Sequence, residues 1–260
     1  MRVDLHNHTH FCNHANGSMQ VYVEKAIEKG IDVFGFSEHA PMDFDQHYRL
    51  PLEKKAEYET EVKRLQEMFS NDIEILLAYE VDFMQNVPML DEILKAKVDY
   101  LIGSVHFLDG WGFDNPEFIG SYENRDIDTI WQEYFNTIEA MAKANLFDIV
   151  GHLDLIKIFK FMPKKEIKSI ANGALKAIKN ANMVVEINPA GLRKPIGETY
   201  PSKELLEACF ELDIAITFGS DAHEIAQVGF KYEEAKALAQ AVGYTKAMRF
   251  KNRDRELFIF

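Results

Sequence analysis

MRVDLHNHTHFCNHANGSMQVYVEKAIEKGIDVFGFSEHA, residues 1–40, holds in one stretch the pattern that decides the fold. A β-rich run, Arg2–His6, leads through a polar loop to a helical stretch over Ser18–Lys29 and then to a second β-rich run, Asp32–Ser37. Ser18 stands where a helix N-cap belongs, because its hydroxyl can accept from the unpaired N–H groups of a first turn. A strand, a helix and a strand in this order imply parallel neighbours, since a parallel pair needs a long crossover and a helix supplies it. Histidines close both strands of the unit, His6 and His8 the first and His39 the second.

The alternation continues along the chain. Further strands are expected at Ile73–Glu80, Tyr100–Val105, Phe147–Gly151, Met183–Ile187 and Ile214–Gly219. Helices are expected over Glu53–Phe69, Val87–Ala96, Ile127–Ala144, Lys164–Asn180 and Ser202–Glu211, with Ser202 as a cap just after Pro201. The tail Thr245–Phe260 is β-rich but carries no further βα unit, so the strand count stops at seven, one short of a regular TIM barrel. No linker, repeat or low-complexity tract divides residues 1–260, which read as one domain.

Composition narrows the function. With 47% hydrophobic and 27% charged residues, the 260-residue chain can build a substantial core. No apolar run approaches the roughly 20 residues of a membrane span, so no membrane partner is expected. The N-terminus lacks the apolar stretch of a signal peptide, and two cysteines, Cys12 and Cys209, are too few for a disulfide framework. A reducing cytoplasm is the corresponding default. The net charge of −13 argues against nucleic acid, which needs a basic face. It also argues against a phosphorylated substrate, unless something local reverses the sign.

Metal can reverse it. In parallel α/β folds, ligands bind at the carboxyl ends of the strands. His6, His8, His39, Glu80, His106, His152, Asp221 and His223 all fall at or just beyond such ends. An open sheet would spread them out, whereas a closed barrel would bring them to one mouth, so the distribution favours an α/β barrel. His6-Asn7-His8 alternates by two, which puts both rings on one face, and neutral imidazole suits zinc, manganese or iron. In the loop that follows, His14 is favoured over His10 as a ligand, and Cys12 reads as a small buried side chain. Glu80 closes the apolar run IEILLAYE, 73–80, where a carboxylate is costly unless paired and a bridging ligand is a natural use. Asp221 and His223, two apart, face the same way. His47, in DFDQHYR, reads as a surface or substrate-loop residue. Each motif alone has a bland explanation as a polar strand end; their joint placement does not.

At this point the sequence resembles the PHP superfamily. DLHNHTH at 4–10, FSEHA at 36–40, GSVH at 103–106 and FGSDAH at 218–223 match its motifs in order, and GHLD at 151–154 also fits. SVHFLDGWGFDNPE at 104–117 and NPAGLRKP at 188–195 resemble the histidinol-phosphate phosphatases within it. The resemblance implies a distorted seven-stranded (βα)7 barrel and three divalent ions of zinc, manganese or iron. One ion would be held by His6, His8, Glu80 and Asp221, a second by Glu80, His106 and His152, and a third by His14, His39 and His223. Glu80, Asp221 and His223 are assigned catalytic roles. Where the usual second motif reads Asp-His, this chain has Glu38-His39, which leaves the ligand intact and alters its neighbour.

Three divalent ions against two ligand carboxylates leave about four positive charges, enough to draw in a phosphomonoester despite the global charge. The expected reaction is hydrolysis of histidinol phosphate by metal-activated hydroxide, late in histidine biosynthesis. Arg193 is the candidate phosphate fork, Lys157 a second basic contact, and Asp114, Glu117 or Trp111 the residues to meet the amino-alcohol and imidazole end. Two alternatives stand beside this reading: a phosphoesterase for another small phosphomonoester or nucleotide, and a metal-dependent amidohydrolase. The second group commonly bridges its metals with a lysine, where this chain has Glu80.

Overall fold

The computed structural model describes residues 1–260. Along the chain lie β1 (Val3–Asp4), α1 (Met19–Glu28), β2 (Val33–His39), α2 (Lys55–Met68), β3 (Glu74–Asp82), α3 (Asp91–Leu94), β4 (Tyr100–Ser104) and a small hairpin, β5 (Phe107–Leu108) with β6 (Trp111–Gly112). Then follow α4 (Ile127–Ala144), β7 (Ile149–Val150), α5 (Ile167–Asn180), β8 (Val184–Ile187), α6 (Lys203–Glu211), β9 (Ile216–Phe218), α7 (Tyr232–Val242), β10 (Lys246–Lys251) and β11 (Asp254–Ile259). Seven strands form one parallel sheet in the order β1-β2-β3-β4-β7-β8-β9. Its two edges meet beyond the named strands: Leu5 N–H donates to Phe218 O at 2.9 Å, Asp221 N–H to His6 O at 2.8 Å and His8 N–H to Ala222 O at 2.9 Å. The sheet therefore curls into a nearly closed seven-stranded barrel, and its seam runs through residues expected to bind metal.

Alternation along β3 shows how the barrel sorts its residues. Ile75, Leu77, Tyr79 and Val81 pack outward in the large cluster shared with the helices. Leu76 and Ala78 point the other way, into a second cluster with Val3, Val33, Tyr100, Ile102, Val184 and Ile216 that fills the lower lumen. Side chains on a strand alternate with period two, so Glu80 and Asp82 continue the inward face above that plug. Tyr100 closes the lumen over Gly35, where a Cβ would lie 1.7 Å from the phenol oxygen, and its hydroxyl donates across to Leu5 O at 2.6 Å. The lower end is covered by the antiparallel hairpin β10–β11, which contributes Ala247, Phe250 and Phe258.

The helices form where their apolar faces recur. α4 buries Ile130, Trp131, Tyr134, Phe135, Ile138, Met141 and Ala142, the three-and-four spacing of one face. Asp126 caps it by accepting from Thr129 N–H at 2.9 Å, and Asn145, left-handed at φ 54°, ends it. Ser18 and Ser202 cap α1 and α6 as expected. The expected helix Val87–Ala96 shrinks to the single turn Asp91–Leu94, because Pro88 disfavours helical geometry at Val87 and cannot donate. The seventh helix, α7, and the hairpin β5–β6 were not singled out in the sequence. No helix is long and apolar enough to cross a membrane.

Candidate metal centre

The mouth of the barrel collects the strand ends. His6 and His8 lie on the extension of β1, His39 ends β2, Glu80 and Asp82 end β3, and His106 follows β4. His152 follows β7, Glu186 lies in β8, and Asp221 and His223 follow β9. Four groups of three residues bring their donor atoms within 4.8 Å of one another: His6, His8 and Glu80; His6, His152 and Asp221; Glu80, His106 and His152; and His8, His39 and His223. These four groups hold eight of the nine expected ligands. The ninth, His14, stands beside them, its ring 4.7 Å from that of His223 and 5.1 Å from that of His39. Its Nδ1 is engaged by Cys12 O at 2.9 Å.

The donor set fits divalent cations. His6 and His8 are fully buried, yet neither Nε2 has a hydrogen-bond partner. Buried polar atoms are rarely left so. The same atoms face carboxylate oxygens: His6 Nε2 lies 3.5 Å from Glu80 Oε1, and His8 Nε2 lies 3.6 Å from Glu80 Oε2 and 3.4 Å from Asp221 Oδ1. Two ligands about 2.1 Å from a tetrahedral ion sit roughly 3.4 Å apart, too far for a hydrogen bond to each other and right for sharing a cation. Two approaches are shorter, His152 Nε2 to Glu80 Oε1 at 2.9 Å and His39 Nδ1 to Glu80 Oε2 at 2.8 Å.

Electrostatics divides the cluster. Burial opposes ionisation of Glu80, but His6, His39 and His106 outweigh it and hold the carboxyl well below its usual range. Asp221 is held low in the same way by His6, His8 and His223. Burial disfavours the imidazolium of His8, yet hydrogen bonding to Asp221 and Glu38 raises its pKa to about 9. His106 rises to about 10 against the same penalty, chiefly through Asp82. Burial pushes His39 down to about 3 and also lowers His14 and His223, which keep their lone pairs.

Behind the ligands stands a ring of carboxylates, of which the sequence had pointed to Glu38 alone. Asp82 Oδ1 accepts from His106 Nδ1 at 2.6 Å, and its other oxygen pairs with the buried Arg49 at 2.7 Å. Glu186 accepts from His6 Nδ1 at 2.7 Å and from the His152 N–H at 2.9 Å. Glu38 accepts from Thr9 N–H and from the Thr9 hydroxyl, and it stands 3.5 Å from His8 Nδ1, so the altered neighbour in FSEHA still contacts a histidine of the cluster. The reasoning that singled out Glu80 could have found Glu186, since each is a carboxylate inside an apolar strand.

Above the cluster opens a cavity of about 500 Å³. Arg193 and Asp114 line it, together with Arg49, Asp45, Tyr48, Phe107, Phe118 and Lys194. Arg193 is anchored by its own donors, Nη1 to Ser220 O at 3.0 Å and Nη2 to Asp221 O, which fixes its head beside the metal groups. Lys157 corrects the expectation made for it. Its ammonium is fully buried below the cavity wall, held by Asp154 at 2.9 Å, Thr199 O at 2.8 Å and Glu198 at 3.2 Å. A lysine so enclosed is an internal ion pair. Glu117 is exposed on the turn Pro116–Tyr122, and Trp111 is turned to Phe118 O, so neither lines the cavity. His10 and His47 also lie outside the four groups.

The PHP domain family model matches residues 4–190. A probable histidinol-phosphatase of Deinococcus radiodurans is 36% identical over 244 residues, covering 92% of this chain and 93% of that one. The histidinol-phosphatase of Bacillus subtilis is 28% identical over 261 residues, 88% of this chain and 96% of its own. Among solved structures, the histidinol phosphate phosphatase of Lactococcus lactis, complexed with zinc, L-histidinol and phosphate, superimposes with a TM-score of 0.81 at 22% identity, covering 98% of each chain. A putative histidinol phosphatase of Listeria monocytogenes gives 0.80 at 23% identity, covering 90% of this chain and 99% of that one. With its motifs in order, its barrel and these relatives in agreement, the chain belongs to the PHP domain family.

Proposed function

We propose that this chain hydrolyses L-histidinol phosphate to L-histidinol and phosphate, using three divalent ions. His6, His8, Glu80 and Asp221 hold the first, Glu80, His106 and His152 the second, and His14, His39 and His223 the third. The observation that carries this reading is the pair of buried, unpartnered imidazole nitrogens aimed at Glu80 and Asp221 beneath a cavity large enough for a small phosphomonoester. The relatives at comparable length, and the zinc, L-histidinol and phosphate bound by the Lactococcus protein, support the substrate.

Divalent cations on such ligands supply Lewis acidity toward phosphoryl oxygens and make hydroxide available near neutral pH. The chain's residues do the rest. Arg193, its head already fixed by two carbonyls, presents its remaining N–H groups to the phosphate. Asp114, whose carboxyl pKa burial pushes up, gains when a cationic amino-alcohol stands beside it. No side-chain nucleophile is called for. The Ser220 hydroxyl donates to Asp4 at 2.6 Å, and the Cys12 thiol is buried against Thr9 O at 3.1 Å.

Steady-state kinetics on a substrate panel test the proposal. Histidinol phosphate should exceed p-nitrophenyl phosphate and AMP by orders of magnitude in kcat/KM. A flat profile would favour a general small-molecule phosphoesterase.

A further inference from the structure

Glu186 touches two ligand residues from behind, His6 through its ring and His152 through its backbone N–H. It sits in β8 among apolar neighbours, 1% exposed, and its two oxygens accept from three donors. His6 Nδ1–H donates to Oε1 at 2.7 Å, while the His152 N–H at 2.9 Å and the Asn188 side-chain amide at 3.1 Å donate to Oε2. The first contact sets a tautomer. With its proton on Nδ1, His6 turns the lone pair of Nε2 toward Glu80 Oε1, 3.5 Å away. Two acceptors face each other there, an arrangement that a cation relieves.

The second contact holds main chain. His152 adopts φ 22°, a conformation that L side chains rarely take, and its N–H is fixed by the Glu186 oxygen. The site is built closely around this carboxylate. At Gly219 a Cβ would fall 2.1 Å from Glu186 Oε1 and 2.5 Å from the Cβ of His6. Only a glycine lets the chain leaving β9 pass so near.

We propose that Glu186 is a positioning residue shared by two metal sites, fixing His6 in the ligating tautomer and His152 in its strained turn, so that one carboxylate couples the two. This rests on the assignment of His6 and His152 as ligands made above. The group of His8, His39 and His223 contains neither residue and should be indifferent to it.

Glu186→Gln makes the sharpest test. The His152 N–H and the Asn188 amide, both donors, keep the glutamine oxygen on their side. The glutamine NH2 then faces His6 Nδ1 and drives the proton to Nε2, where it blocks a cation. Zinc uptake is measured by equilibrium dialysis against buffered free zinc, with metal per chain and thermal unfolding read on the same samples. The expected isotherm splits. One part keeps wild-type affinity, and the part held through His6 and His152 needs roughly 10–100-fold more free zinc, the usual cost of losing such a contact. Glu186→Asp, which keeps the charge but shortens the reach, should fall between. A folded Glu186→Gln variant whose isotherm superimposes on wild type would overturn the role of Glu186 alone. A wild-type chain that takes up no zinc would overturn the ligand assignment beneath it. Should the variant not fold, nitrogen-15 spectra of the zinc-loaded wild type decide instead. His6 must carry its proton on Nδ1, and a proton on Nε2 contradicts the proposal.

Discussion

At the scale of single residues, the low-dielectric mouth of the barrel decides which groups carry charge. Glu80, 1% exposed, and Asp221, partly buried at the cavity wall, remain carboxylates because imidazoles surround them. His8 and His106, raised to about 9 and 10, carry protons at pH 7 when no metal is bound, as does His6, whose pKa Glu186, Glu80 and Asp221 raise against the penalty of burial. A ligand must be deprotonated to bind, so loading expels those protons, and affinity should strengthen as pH rises toward 9. Calorimetry of zinc binding at pH 7 in buffers of different ionisation enthalpy should show about three protons released per chain, one each from His6, His8 and His106; none released would refute the charge assignment. Substrate contacts separate at the same scale. Arg193→Ala should raise KM for every phosphomonoester by about tenfold or more, the worth of one charge-assisted contact. Asp114→Asn should raise it for histidinol phosphate and leave p-nitrophenyl phosphate nearly unchanged. Equal effects of Asp114→Asn on both would remove it from the amine end.

At the scale of elements, the sheet and most helices were legible because strands and helices carry different periods, and this chain keeps both clean. Ser18, Ser202 and the run IEILLAYE each behaved as their chemistry required. What was not legible depends on neighbours remote in sequence. Lys157 resembles a phosphate contact until Asp154, Glu198 and Thr199 are seen to enclose it. Asp82 gains its role only from His106 and Arg49, supplied by two other segments. The hairpin β10–β11 was visible as β-rich, but its task as a floor under the lumen was not. That task predicts a division of labour. Phe250 is 2% exposed, with its ring 5.6 Å from Tyr100. Phe250→Ala should cost about 3–5 kcal/mol in denaturant unfolding and leave KM unchanged. A changed KM with unchanged stability would mean that the floor communicates with the mouth.

For the whole molecule, a chain of net charge −13 could accept the anionic substrate proposed for it because its histidines, Glu80 and Asp221 are gathered at one end of one barrel, where they can hold cations. The gathering was readable from the spacing of histidines relative to strand ends; the histidines that Asp82 and Glu186 orient were not, since a lone acidic residue in a strand names no partner. The proposed chemistry depends on the number of cations this mouth holds. The most direct measurement is the metal content of protein purified without chelator, by elemental mass spectrometry against amino-acid analysis. Clearly more than one ion per folded chain is expected, approaching three on saturation with zinc or manganese. A folded chain that saturates at a single ion would contradict the proposal.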